Sequence, residues 1–134
     1  MFGARVGKHV HLFPSVKIAI PWNLSIGDHS AVGDCAILYT LGPIIIGERV
    51  TISQYAHLCA GSHDYSDPAM PLLKPLIVVE DDVWICADAF VGPGVTVGRR
   101  AIVAARGVVV SNVSAEIIVG GNPARAIKDR LAPP

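Results

Sequence analysis

The chain has 134 residues, 51% of them hydrophobic, with eleven basic and eleven acidic side chains and a formal net charge of zero. That length fits one domain spanning 1–134. The balanced charge leaves no overall electrostatic footprint for nucleic acid or an acidic membrane, and no apolar run approaches the ~20 residues that span a bilayer.

The first residues, Met1 to Arg5, lack the apolar run of a signal peptide. Cys35, Cys59 and Cys86 are an odd count with no CxxC pair, so neither a disulfide framework nor a zinc site is expected. A reduced, cytoplasmic setting follows, one that can extend to the periphery of the inner membrane.

From the first residues onward an aliphatic side chain recurs every six positions. One series reads Ile20, Ile26, Val32, Leu38, Ile44; a second reads Ile46, Ile52, Leu58; a third reads Val79, Ile85, Val91, Val97, Val103, Val109. Four residues after most of these comes a small or branched residue, as at Ser30, Ala36, Val50, Ala56, Val83, Ala89 and Ala101. Glycine often follows the aliphatic directly, as at Gly7, Gly27, Gly33, Gly47, Gly92 and Gly98. A six-residue period fits neither a 3.6-residue helix nor a simple alternating strand, which is all that a β-sandwich would require.

The period fits a short strand plus a corner, three to a triangular coil, with coils stacked by parallel pairing about 4.8 Å apart. Glycine is expected at the corners for its backbone freedom. Two phase slips, near Leu24 and Ile45, read as enlarged corners.

Between Leu58 and Val79 the period stops. Ser62 to Pro75 is rich in Asp and Pro and reads as a loop leaving the stack, about 63–76. Past Val113 the period fades. Asn122 with Pro123 reads as a helix start, so a short basic α-helix over about 123–131 is expected to close the end. Coils are expected over about 5–62 and 77–119.

These residues carry a resemblance. The hexad pattern is similar to that of the hexapeptide-repeat acyltransferases, which form an all-β, left-handed parallel β-helix. Cys59 to Pro68 resembles the catalytic-histidine segment of the maltose, galactoside and nodulation-type sugar O-acetyltransferases. Asp81–Ile85, Gly92–Gly98 and Gly121–Arg125 follow in that family's order. Ala19–Leu24, Leu41–Ile44 and Ala69–Pro75 are similar to segments of the colanic-acid-biosynthesis acetyltransferases. Members carry a segment ahead of the first coil, whereas these hexads begin almost at once.

The resemblance implies an enzyme that moves an acetyl group from acetyl-CoA to a sugar hydroxyl, in exopolysaccharide synthesis, without a metal. It implies a homotrimer with active sites at subunit interfaces. His63 is then the general base: histidine titrates near neutral pH, so it can take the hydroxyl proton and pass it to the leaving thiolate. Trp84 should point outward, beside the pantetheine arm, or into a subunit contact. The backbone at Cys86, Ala87, Ala104 and Ala105 corresponds to positions that bond the arm, and a backbone N–H should hold the oxyanion.

The Gly121-Asn122-Pro123-Ala124-Arg125 match puts Asn122, Pro123 and Arg125 by the coenzyme, with Lys128 and Arg130 as further phosphate candidates. Thr40 lies near where relatives hold the acceptor with an asparagine. His57, one hexad before His63, faces the same cleft or is structural. Asp64 and Asp67 contact the imidazole or a sugar hydroxyl, or merely brace a turn. Two other readings stand beside this one: a non-catalytic β-helix scaffold, and a γ-type carbonic anhydrase, for which His57 and His63 lack a third histidine.

Overall fold

The computed structural model describes residues 3–133. Met1, Phe2 and Pro134, at the ends of the expected domain, lie outside them. Short parallel strands stack as a left-handed β-helix of about six turns. Three sheets form the sides of a triangular prism. The first stacks Arg5–Val6, Leu24–Ile26, Ile44–Ile46, Ile77–Val79 and Thr96–Val97. The second stacks His11–Leu12, Ala31–Val32, Thr51–Ile52, Trp84–Ile85, Ile102–Val103 and Ile117–Gly121, with Ala124–Asp129 at its edge. The third stacks Lys17–Ile18, Ile37–Tyr39, His57–Cys59, Phe90–Val91 and Val108–Val109.

Inward positions repeat every six residues, so the core is a set of aliphatic columns. Ile52 stacks in register with Ile85, and Leu38 with Leu58. Leu38, Ile44, Leu58, Ile77, Val79 and Ile85 have no exposed surface. Each such side chain stabilises the fold by about 1.5–3 kcal/mol. The buried hydroxyl of Ser30 is satisfied within the stack: it donates to the Gly47 carbonyl at 2.8 Å and accepts the Val50 N–H at 3.0 Å.

The corner between the third and first sheets is enlarged, as the phase slips suggested. There the chain inserts a single 3₁₀ turn, Pro21–Asn23, before Leu24 resumes the column. First-sheet strands are three residues long and send two side chains inward, such as Ile44 and Ile46.

Glycine plays a different part from the one expected. The left-handed corner position belongs mostly to other residues: His9, His29, Cys35, Arg49, Tyr55, Asp82, Asp88, Arg100 and Arg106 all have φ between 54° and 61°. Gly27 and Gly33 lack a positive φ. They are glycine because a Cβ would lie 2.6 Å from the Gly47 carbonyl carbon or 2.7 Å from the Gln54 nitrogen, in the next coil. Close approach of backbones demands them, not corner dihedrals. The residues at the first corner pair along the axis instead. Arg49 bonds Asp82 through Nε at 2.8 Å and through its other fork nitrogen at 3.1 Å.

The end of the chain also differs from expectation. Residues 123–131 form no helix; Ala124–Asp129 is a strand running antiparallel to Ile117–Gly121. Gly121 (φ +92°), Asn122 and a cis-bonded Pro123 make the turn between them. A helix this short is marginal by itself. It would also leave the edge of Ile117–Gly121 with unpaired N–H and C=O groups, which the return strand satisfies. Among the described residues no helix is long and apolar enough to cross a membrane.

Candidate active site

The loop that leaves the stack after Gly61 is a hairpin. Ser62–His63 pairs antiparallel with Leu72–Leu73, placing His63 opposite Leu72. His63 is exposed, and its Nδ1 lies 2.8 Å from the Met70 carbonyl oxygen. A carbonyl only accepts, so Nδ1 carries the hydrogen and the neutral ring keeps its lone pair on Nε2. The fold thus presents one imidazole in the tautomer a base needs.

Asp64 and Asp67 build the loop that holds Met70. The Asp64 carboxylate accepts from the Ser66 N–H at 3.0 Å and from its hydroxyl. The Asp67 carboxylate accepts from the Ala69 N–H at 2.9 Å, and its carbonyl from the Met70 N–H at 2.9 Å. Neither carboxylate bonds the imidazole; both hold the turn that presents the Met70 carbonyl.

Thr40, weighed as an acceptor contact, is corrected. It has no exposed surface, and its hydroxyl accepts the Ile20 N–H at 2.7 Å and donates to the Ile20 carbonyl at 2.8 Å. Both of its hydrogen-bonding capacities are used inside the wall. His57 projects from the third sheet, its ring edge-on to Tyr39 and Phe90 with centroids 6.5 and 5.3 Å away. Its Nε2 is buried without a hydrogen-bond partner, and burial pushes its pKa below the ordinary histidine value.

A second cluster lies on the second sheet and the corner after it. Trp84 is 44% exposed, and its indole N–H donates to Ser53 Oγ at 2.9 Å. The N–H groups of Cys86 and Ala104 are committed to the next coil, to Val103 O at 2.9 Å and Val119 O at 2.8 Å. These two N–H groups are therefore not available to a ligand, which leaves only the carbonyls of Cys86 and Ala104 for the contact expected of their backbone. The N–H groups of Ala87 and Ala105, one residue further on, make no hydrogen bond among the described residues. Burial pushes the Cys86 thiol up, away from the reactive thiolate.

Asn122, Pro123, Arg125 and Lys128 are exposed on the terminal hairpin, at the same sheet's far end. Lys128 sits opposite Ile118 in the outward row that includes Trp84 and Ile102. Arg130 is different: its guanidinium donates to the carbonyls of Asp82 at 2.6 Å and Arg100 at 2.9 Å, so it ties the first corner together.

Met70 and Ser53 escaped the sequence reading. Met70 acts through its carbonyl, which no side-chain pattern reports. Ser53 occupies the hexad place where Gly33 and Gly47 stand, and that departure was the available signal. The two clusters do not meet in one chain. His63 leaves at the corner between the third and first sheets, and Trp84 sits on the second sheet, across the core.

No family model matches the chain. Across 131 residues it is 44% identical to WcaF of Escherichia coli K12, a candidate colanic acid biosynthesis acetyltransferase, covering 98% of this chain and 72% of that one. It superposes on a hexapeptide-repeat acetyltransferase of Vibrio cholerae, solved with acetyl coenzyme A, with a TM-score of 0.91 at 33% identity. That match covers 98% of this chain and 73% of the Vibrio chain. The chain belongs to the hexapeptide-repeat acetyltransferases.

As a hexapeptide-repeat acetyltransferase it shares its architecture with more distant enzymes. A galactoside acetyltransferase solved with coenzyme A matches with a TM-score of 0.89 at 22% identity, covering 94% of this chain and 64% of the other, a likeness of fold.

Proposed function

We propose that the chain transfers an acetyl group from acetyl-CoA to a sugar hydroxyl of a surface polysaccharide, with His63 as general base. The observation that carries this reading is the 2.8 Å contact of His63 Nδ1 with the Met70 carbonyl, which leaves Nε2 free on an exposed ring. Nε2 takes the acceptor proton as the hydroxyl oxygen bonds the thioester carbonyl carbon. The carbon–sulfur bond then breaks, and the proton passes to the thiolate. Such a base contributes about 10²–10⁴-fold.

Two features support the donor assignment. The unbonded N–H groups of Ala87 and Ala105 form a column one coil apart beside exposed Trp84, suited to the amide carbonyls of a pantetheine arm. Arg125 and Lys128 lie at the far end of the same side, suited to phosphate. The working unit in this reading is a trimer, in which the hairpin of one chain faces the Trp84 side of its neighbour.

Thiol release from acetyl-CoA, measured over a panel of sugars with mass-spectrometric readout, tests the reading. The wild type should acetylate at least one sugar, and His63→Ala should lose at least two orders of magnitude in kcat. Transfer to no sugar, or an undiminished His63→Ala, overturns it.

A further inference from the structure

Trp84 and Ser53 come from adjacent coils of the second sheet. Trp84 pairs with Thr51, and Ile85 with Ile52. Ser53 therefore lies one coil nearer the N-terminus than Trp84 and two places further along the chain direction. The indole reaches back diagonally across that step, and its Nε1–H donates to Ser53 Oγ at 2.9 Å. The equivalent places in the neighbouring coils hold Gly33, Cys86 and Ala104. None of these offers a side-chain oxygen to the indole. Trp84 is 44% exposed, and an exposed side chain changes rotamer within nanoseconds unless a partner holds it.

The bond also sets the level at which the indole lies. Thr51–Ile52 and His57–Cys59 are successive sides of one coil, and the hairpin that carries His63 leaves where that coil ends. Trp84 belongs to the next coil, about 4.8 Å further along the axis. Held by Ser53, its indole is drawn back toward the level of the coil from which His63 departs.

We propose that Ser53 is a positioning residue for the acyl donor: its hydroxyl fixes the Trp84 indole in the orientation that receives the pantetheine arm. The inference rests on the assignment of Trp84 to the donor side. It adds that the indole is placed before the coenzyme arrives. Immobilising a mobile side chain on binding weakens affinity, and a bond already made in the protein removes that loss in advance.

Trp22 and Trp84 are the two tryptophans, so in a W22F background Trp84 is the sole emitter. Acetyl-CoA should change its emission, and calorimetric titration gives the Kd. S53A should raise that Kd about threefold to tenfold, with an unchanged circular dichroism spectrum. It should also add nanosecond motion to the Trp84 anisotropy decay. S53T, which keeps the hydroxyl on a side chain suited to a strand, should restore both the Kd and the rigid decay. An S53A that binds like its parent, an unaltered decay, or an S53T as weak as S53A overturns the inference and leaves the donor assignment standing. Failure of acetyl-CoA to bind, or bound acetyl-CoA that leaves the Trp84 emission unmoved, overturns that assignment and the inference with it.

Discussion

His63 and Trp84 lie on opposite sides of one prism, with the aliphatic columns of Ile52, Ile85 and Leu58 between them. If the reaction uses both, they come from different chains. Co-folding His63→Ala chains with Trp84→Ala chains should therefore regenerate interfaces carrying both native residues. The mixture should exceed the summed activity of the two separate preparations severalfold, measured by thiol release. An activity no greater than that sum places both residues' contributions within one chain.

Ala105 offers a substitution that removes one N–H and leaves the corner intact. Pro93 already occupies the equivalent corner place, ahead of Gly94 with φ +76°. Proline suits that first turn position. Ala105→Pro should keep the melting temperature and raise KM for acetyl-CoA about threefold to tenfold, the worth of one hydrogen bond. An unchanged KM would remove this N–H from the donor site.

Thr40 separates a structural role from an acceptor role. Replacing it with Val leaves the Ile20 N–H and carbonyl without their buried partner. Urea unfolding should show a loss of about 1–3 kcal/mol, with KM for the acceptor unchanged. A raised KM at unaltered stability would return Thr40 to the site.

Gly27 tests the close-approach account of the glycines. A Cβ there would lie 2.6 Å from the Gly47 carbonyl carbon, whereas at Gly92 the nearest atom is 3.2 Å away. Gly27→Ala should cost about 1–3 kcal/mol and lower the melting temperature by several degrees. Gly92→Ala should cost less. Equal effects would contradict the spacing argument.

His57 gives the fold a pH dependence of known sign. Burial holds its pKa in the folded chain below the ordinary value of 6.5. Below that value the unfolded chain binds a proton the folded chain resists, so stability rises with pH. The contribution is complete above about pH 6.5 and falls away as the solution is acidified. His57→Phe should lose less stability than wild type between about pH 7 and pH 5 in denaturant titrations. Parallel losses in the two proteins would show that His57 is not responsible.

Much of this protein was legible in one dimension because its fold is close to one-dimensional. Each hexad meets only the hexads above and below, so the period that places Val32, Ile52 and Ile85 inward is visible in the chain itself. His63 stood out because it falls where the period stops. Three matters needed the tertiary structure, and each depends on residues distant in sequence. The reason for Gly27 lies at Gly47, twenty residues on. Asn122-Pro123 reads locally as a helix start, but the unpaired edge of Ile117–Gly121 draws the following residues into a strand. The hydroxyl of Thr40 belongs to Ile20 in the preceding coil, which no local pattern reports. Hexad spacing dictates what lies inside a coil, while contacts between coils decide which backbone groups remain free, and those are the groups a ligand can use.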